Sequence, residues 1–186
     1  MKNKGAMICM SGQINSARYA TKIHTYGVEA FQSGEVGLLG AVTPVGVTFY
    51  HEPRYRRTFK VERVEPVVDI IAAYAGIDSR LIDAAVQSGA GGIVVQAMGI
   101  GNLSDGIYDG IVRAVERGVP VVISTRVHRG RVVPLYSFKG GGKSTLEAGA
   151  IFAGDLSPQK ARILLMIVLG LTRDREVIRG IFEQMG

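Results

Sequence analysis

A ten-residue segment near the beginning of the chain, Ser16–Thr25, concentrates side chains that could carry out acid–base or nucleophilic chemistry. It combines several hydroxyl groups with one arginine, one lysine and one histidine. A lysine that is partly buried among hydroxyls can lose its proton near neutral pH and then assist a nucleophile. Lys22 is therefore a candidate catalytic residue, and the alternative that composition favours is an ordinary solvated lysine.

A second segment, Gly140–Thr145, contains a Gly-Lys-Ser sequence typical of phosphate-binding loops. Such a loop requires a further glycine at the position that Ser137 occupies, and a long helix after the lysine. The sequence instead reaches Gly149 within a few residues. We therefore expect a mobile surface loop here rather than a nucleotide site.

The segment Gly99–Asn102 follows an apolar strand-like run and precedes a helical pattern, the position at which doubly wound sheets bind ligands. A tight turn that binds nothing explains its glycines equally well. The three histidines, His24, His51 and His128, do not have metal-ligand spacing. We expect no metal site and no cofactor.

Composition restricts the class of protein further. The chain has 186 residues, of which 47% are hydrophobic, and a net charge of +6. It contains no long apolar stretch and no apparent signal peptide, and we therefore expect a cytoplasmic protein without a membrane partner. The single cysteine, Cys9, excludes an internal disulfide and is expected in the core.

One basic cluster, Arg54–Arg57, could contact phosphates, although a solvated loop is the more common role of such a run. Elsewhere the basic residues are interspersed with acidic ones, as in Arg173–Glu176. We therefore expect no nucleic-acid partner.

The second part of the chain has the pattern of an α/β domain. Short β-branched runs at Val67–Ile71, Gly92–Val95 and Val119–Ile123 indicate strands covered on both faces, and helical periodicity separates them. Asp78, Ser157 and Asp174 are candidate helix caps, as is Ser104 or Asp105. The expected fold class is α/β: a small, doubly wound, mostly parallel sheet with helices on both faces.

The first part of the chain has a different pattern. Two strand-like runs, Ala6–Met10 and Val47–Tyr50, enclose an irregular glycine-rich stretch, Gly27–Gly46, and this is too little to form a core alone. We interpret residues 1–52 as the C-terminal remnant of a larger α/β domain, residues 53–66 as a linker and residues 67–186 as a C-terminal α/β domain.

Several of these segments, in this order, resemble the later part of the bacterial L-asparaginase/glutaminase family. Because separate blocks match in sequence order across nearly the whole chain, the resemblance is specific. The matching blocks are Ser16–Thr25, Phe31–Ser33, Gly37–Gly40, Gly99–Asn102, Val119–Val127 and Ala153–Met166.

The resemblance implies roles for two residues. It assigns Lys22 to the lysine of the family's Thr-Lys-Asp triad and Asn102 to an asparagine that reaches a neighbouring subunit's site. The family's Thr-Gly-Gly-Thr and Gly-Thr-Asp-Thr strings do not occur in this sequence. The sequence also departs from the family's pattern at Ile23, at Ser11–Gly12 and in the loop Tyr136–Glu147. Because of these departures, the resemblance does not fix the substrate preference or the activity of the chain.

The resemblance therefore implies the C-terminal portion or subunit of an asparaginase-type amidohydrolase. It would contribute the triad lysine, but not the threonine nucleophile, to hydrolysis of the side-chain amide of asparagine or glutamine, and would be inactive alone. The implied partners are the small-molecule amide and either further copies of the chain or a separate N-terminal half. The alternative is a non-catalytic assembly domain or a small-ligand-binding regulatory domain derived from the family.

Overall fold

A computed structural model describes residues 4–53 and 57–185. The chain divides into two compact units between Thr58 and Phe59, and each unit is described by itself. Most of the basic cluster Arg54–Arg57 lies outside the described residues. No helix in the described part of the chain is both long and apolar enough to cross a bilayer.

The first unit consists of antiparallel strands. Its larger sheet has the strand order β1-β2-β5-β6, and strands β3 and β4 form a separate pair. A 3₁₀ turn at Gly34–Val36 precedes β5. The strands are β1 (Met7–Met10), β2 (Gln13–Ser16), β3 (Thr21–Lys22), β4 (Phe31–Gln32), β5 (Gly40–Thr43) and β6 (Gly46–Phe49).

Glycines determine how these strands connect. Ser11 and Gly12 join β1 to β2 with φ angles of 50° and 73°, and two consecutive positive φ angles are the requirement of a tight hairpin turn. At Gly40 a Cβ atom would lie 2.2 Å from the Thr48 carbonyl oxygen, so only glycine allows β5 to approach β6 this closely. Since β4 and β5 both lie within Gly27–Gly46, the prediction that this stretch is irregular is wrong for these two strands.

The second unit contains a four-stranded parallel sheet in the order β10-β9-β8-β7. Its register pairs Val68 with Gly92 and Ile93 with Val121. The strands are β7 (Val68–Ala72), β8 (Gly92–Ala97), β9 (Val121–Thr125) and β10 (Ile151–Phe152). The helices are α1 (Arg80–Gln87), α2 (Asp105–Glu116), α3 (Gly142–Glu147), α4 (Pro158–Leu169) and α5 (Arg175–Met185).

Two hydrophobic clusters cover this sheet, one on each face. Ile82 of α1 and Ile107 of α2 belong to the first cluster, whereas Leu165 of α4 and Phe182 of α5 belong to the second. The expected α/β fold class, a mostly parallel sheet with helices on both faces, is confirmed. The strands follow one another across the sheet in chain order, and the second helical layer comes from the two helices that follow the last strand.

Three of the proposed caps, Asp78, Ser157 and Asp174, accept backbone N–H groups at the starts of helices, although the N-cap position of α1 itself is Ser79. The prediction is wrong for the Ser104 side chain, which accepts no backbone N–H and instead donates to the Ile77 carbonyl oxygen at 2.8 Å. Asp78 accepts from the backbone N–H of Arg80 at 3.0 Å, and Asp174 accepts from that of Val177 at 3.1 Å. Ser157 accepts from the N–H of Lys160 at 3.4 Å, ahead of a helix whose first residue is proline.

Some local predictions are wrong. Gly140–Thr145 does not form a surface loop: α3 occupies most of it, and Gly142 and Thr145 are buried. The hydroxyls of Ser144 and Thr145 both donate to the Gly141 carbonyl oxygen, which closes the segment on itself. Cys9 is exposed, because among the described strands β1 pairs with β2 alone and its second half faces solvent.

Candidate functional site

Lys22 is held in place by the short β3–β4 pair. Its backbone is opposite Phe31, and the neighbouring Ile23 N–H donates to the Ala30 carbonyl oxygen at 2.7 Å. Its side chain is exposed and has no hydrogen bond or ion pair with any described residue. The backbone is therefore fixed, while the ammonium group remains in solvent.

Buried polar groups lie beside the segment that leads to Lys22, and one of them, Asn15, was not singled out from the sequence. The Ser33 hydroxyl donates to Asn15 Oδ1 at 2.6 Å, and both side chains are buried. Ser16, also buried, accepts with its carbonyl oxygen from the N–H of Ala20 at 2.8 Å. These bonds connect β2, the turn before β3 and the 3₁₀ turn, so a buried polar network supports the segment that carries the lysine.

His24 has a structural role in the loop after β3. Its Nδ1 accepts from the backbone N–H groups of Gly27 at 2.9 Å and Tyr26 at 3.3 Å. The imidazole also packs edge-on against the Tyr26 ring, with the centroids 4.5 Å apart. Because Nδ1 is occupied by the loop's own backbone, this nitrogen is not available as a base.

Asn102 lies just beyond the carboxyl end of β8, in the second unit. Its backbone forms an isolated antiparallel bridge with Met98, with bonds of 2.9 and 3.0 Å. The Thr125 hydroxyl donates to the Gly99 carbonyl oxygen at 2.6 Å and fixes the intervening turn. Asn102 Oδ1 is buried and has no hydrogen-bond partner among the described residues, so this turn presents an unused acceptor.

The glycines of this turn are required by its shape. Gly99 and Gly101 have φ angles of 51° and 117°. A Cβ on Gly101 would lie 3.2 Å from the Phe152 ring. The strand order of this sheet does not reverse among the described strands, so the turn is not at a topological switch point, the position at which doubly wound sheets bind ligands.

A groove of about 530 Å³ lies between the segment before β7 and the loop from α4 to α5, lined in part by Arg63, Glu65 and Arg173. The Val67 N–H and the Arg173 guanidinium both donate to Glu65 and hold the pKa of its carboxyl below the usual range. Arg173 also donates to the Gly91 carbonyl oxygen. The bonds among Glu65, Arg173 and the backbone groups connect the segment before β7 to the loop between α4 and α5, so these polar groups have a structural role.

Lys22 and Asn102, the two residues singled out from the sequence, belong to different units. Lys22 lies in the β3–β4 pair of the first unit and Asn102 in the turn after β8 of the second, and each carries a polar group that no described residue satisfies. Within residues 4–53 and 57–185 there is no group of three or more His, Cys, Asp or Glu side chains that could hold a metal ion.

Two family profiles match the chain. "Asparaginase, N-terminal" matches residues 1–55 and "Glutaminase/Asparaginase C-terminal domain" matches residues 67–182. The two matches follow one another in the order their names give, and the second covers more than half of the chain. Lys22 lies in the first matched region and Asn102 in the second.

Curated relatives are similar over almost the whole chain. A "Probable L-asparaginase" of Deinococcus radiodurans is 38% identical over 185 residues, covering 97% of this chain and 56% of the relative. "L-asparaginase 2" of Bacillus subtilis is 38% identical over 98% of this chain and 48% of the relative. One of the subunits of the glutamyl-tRNA(Gln) amidotransferase of Pyrococcus abyssi is 34% identical over 85% of this chain and 37% of the relative. The chain thus spans about half the length of the L-asparaginase relatives.

Proposed function

Since the chain belongs to the asparaginase family, we propose that it contributes one part of an amidohydrolase site that hydrolyses the side-chain amide of asparagine or glutamine. The observation that carries the proposal is the pair of family matches, which together cover residues 1–55 and 67–182 in family order. In this proposal Lys22 is the site's lysine and Asn102 is a contact to the site of a neighbouring copy.

The proposed reaction requires a hydroxyl nucleophile. A threonine hydroxyl attacks the amide carbon while its proton passes to a base and from there to the leaving nitrogen, which departs as ammonia. Water then hydrolyses the ester and releases the carboxylate and the free threonine. Lys22, as the neutral amine, would accept the hydroxyl proton. Its ammonium group is exposed in the described structure. Docking of a surface that carries the threonine would desolvate Lys22 and favour its neutral form.

The geometry of Asn102 supports its proposed contact role. A buried amide oxygen without a donor is costly, and a rotation of the Asn102 side chain that brings this oxygen to a donor of a neighbouring copy or of its substrate would relieve that cost. The backbone bridge to Met98 holds the main chain from which this side chain projects. An assembly of two or more copies is therefore part of the proposal.

Activity of the 186-residue chain alone and in combination tests the proposal. We expect no ammonia release from asparagine by the chain alone, because neither threonine string occurs in its sequence. We expect activity after mixing with the segment of the Deinococcus radiodurans relative that precedes its matched region. In that mixture Lys22→Met should lower kcat by about a thousandfold or more. Lys60→Met, at an exposed lysine outside the proposed site, should leave kcat unchanged.

The same mixture separates catalysis from assembly. Co-elution of the two segments without ammonia release would favour the non-catalytic alternative, an assembly or regulatory domain derived from this family. Ammonia release by the isolated chain at an ordinary enzymatic rate would contradict the proposed division of roles, because an unrecognised nucleophile would then reside within these 186 residues.

A further inference from the structure

The β3–β4 pair, which carries Lys22, forms a sheet separate from the larger sheet of the first unit. It contains two residue pairs, Thr21 with Gln32 and Lys22 with Phe31. An isolated two-stranded hairpin is marginally stable at best, and one this short has few ladder bonds to fix it. Its orientation relative to the larger sheet therefore depends on bonds outside its own ladder, and two side-chain hydrogen bonds provide them.

The first of these bonds lies at the open end of the hairpin. Ser33 directly follows β4, and its hydroxyl donates to Asn15 Oδ1 of β2 at 2.6 Å. Both residues are buried. The pairing of β2 with β5 includes Gln13 and Ile14, so Asn15 lies beyond it. The bond thus joins the larger sheet to the end of the strand that is paired with Lys22.

The second bond lies in the loop at the other end of the hairpin. The Ser11 hydroxyl, in the turn from β1 to β2, donates to the Val28 carbonyl oxygen at 3.0 Å. Ser11 has a φ angle of 50°, a conformation that residues other than glycine seldom adopt. Such residues persist where the surrounding structure holds them, and they are common at functional sites. The β1–β2 hairpin therefore holds the β3–β4 hairpin at both of its ends.

The two anchored positions are close to the lysine along the chain. Phe31, opposite Lys22, is two residues from Ser33 and three residues from Val28. A strand that is held this close on either side can move little as a unit. A displacement of a catalytic group by about 1 Å can lower the rate about a hundredfold, so this restraint bears directly on the use of a lysine as a base.

We propose that Asn15, Ser33 and Ser11 are positioning residues for Lys22. They fix the orientation of the β3–β4 pair and thereby the direction from which the amine reaches the hydroxyl that it activates. They act through the backbone of Lys22 and not on the substrate. The proposal rests on the proposed function in taking Lys22 as the lysine of the site, whereas the restraint on its backbone does not depend on amide chemistry.

Asn15→Leu combined with Ser33→Ala separates positioning from stability. Removal of one partner leaves a buried polar group unsatisfied, whereas replacement of both by apolar groups can be nearly neutral. We therefore expect Ser33→Ala alone to lower the urea midpoint and the double variant to recover most of the loss. In the mixture with the preceding segment of the Deinococcus radiodurans relative, both variants should still lower kcat by about tenfold to a hundredfold. The KM for asparagine should stay unchanged, because the lost interaction belongs to the transition state.

Backbone ¹⁵N relaxation of the full chain alone measures the same restraint without activity. We expect order parameters of about 0.85 at Lys22 and Ile23 in the parent chain, and values falling toward about 0.6 in the double variant. Ser11→Gly removes the hydroxyl but suits the positive φ angle, so the turn is retained. It should lower the order parameters from Lys22 to Val28.

Thr43→Ala is the matched control, because it removes a hydroxyl hydrogen bond, to the Gly46 carbonyl oxygen at 3.1 Å, from another turn of the same unit. It should change neither kcat nor the order parameter of Lys22. Parent-like kcat in the double variant, or a parent-like order parameter at Lys22 there, would refute the proposal. If the parent mixture releases no ammonia but the order parameters fall as expected, the restraint is supported and the proposed function is the part that fails.

Discussion

At Asp83 a single carboxylate joins two helices of the second unit. The Arg113 guanidinium donates to its two oxygens at 2.8 and 3.1 Å, and the Ser79 hydroxyl donates at 2.7 Å. The hydrogen bonds from Arg113, and then from Ser79, lower the pKa of the Asp83 carboxyl below its ordinary value of 3.8. We expect Asp83→Asn to lower the free energy of unfolding by about 0.5–1 kcal/mol near neutral pH, because the pair is partly exposed.

The pH dependence of this effect has a definite sign. A lowered folded-state pKa stabilises the fold fully above the unfolded value of 3.8, and the stabilisation is lost as pH falls through the lower folded value. Urea titrations at pH 7 and pH 2.5 should therefore show the difference between Asp83→Asn and the parent chain shrinking in acid. Glu147→Gln, at an exposed carboxylate without a bonded partner among the described residues, is the control. A difference that persists in acid would contradict the assignment.

At the scale of single elements, we expect alanine to have opposite effects on stability at two glycines, one at the end of a helix and one inside a helix. A Cβ on Gly170, which ends α4, would lie 2.1 Å from the Arg63 carbonyl oxygen, so backbone would have to move. A Cβ on Gly180, inside α5, would meet nothing within 4 Å. We expect Gly170→Ala to destabilise the second unit by about 1–3 kcal/mol and Gly180→Ala to stabilise it by about 0.5–1 kcal/mol.

Midpoints of urea unfolding for the two glycine variants, measured side by side, check this prediction. The pair is internally matched, since both changes add one methyl group at a helical position. Equal shifts in the same direction would indicate that helix propensity alone governs both sites and that the close approach of α4 to Arg63 is unimportant.

At the scale of the whole molecule, the two units differ in how much apolar surface they bury. The buried apolar residues described in the first unit are Ile14, Ala20, Ala30 and Leu39. The second unit buries two clusters, and the strand residues Ile93–Val95 and Val121–Ile123 are fully inaccessible to solvent. We expect amide exchange to be slow in these strands and fast across residues 24–46.

Exchange followed by mass spectrometry of peptides from both regions provides the measurement. Rapid exchange across residues 24–46 would agree with a first unit that depends on a further partner for stability. Protection there equal to that of β8 and β9 would show that residues 1–58 fold self-sufficiently, and the interpretation of this region as part of a larger domain would then be wrong.

The first unit also exposes large apolar side chains, from which we expect a dimer or larger assembly. Tyr26 and Val28 are 87% and 80% exposed in the loop between β3 and β4. Light scattering should show the assembly at micromolar concentration, and Tyr26→Ser combined with Val28→Ser should shift it toward monomer. Leu81→Ser with Val177→Ser, at exposed helix positions of the second unit, should not. A monodisperse parent monomer would contradict the expectation.

Local sequence was sufficient to predict the elements that depend on residues close to one another in the chain. Caps at Asp78, Ser157 and Asp174 depend on residues two or three positions away, and the strands β7, β8 and β9 depend on runs of β-branched residues. The family, the α/β class and the helices on both faces followed from the order of such segments. The strands β2, β3, β4, β5 and β10 were missed because they are only two to four residues long. The last of them, β10, also gains its hydrogen bonds from β9, which is far away in the sequence.

Other features depend on residues far apart in the chain. That Gly142 and Thr145 of α3 are buried and that Cys9 is exposed both follow from which distant segments pack against one another. The same holds for the surroundings of the turn that carries Asn102, because backbone bonds bring Val133 to Ile100 and Gly140 to Leu103. Composition specifies which groups are present, but the long-range hydrogen bonds of the folded chain decide which of them meet.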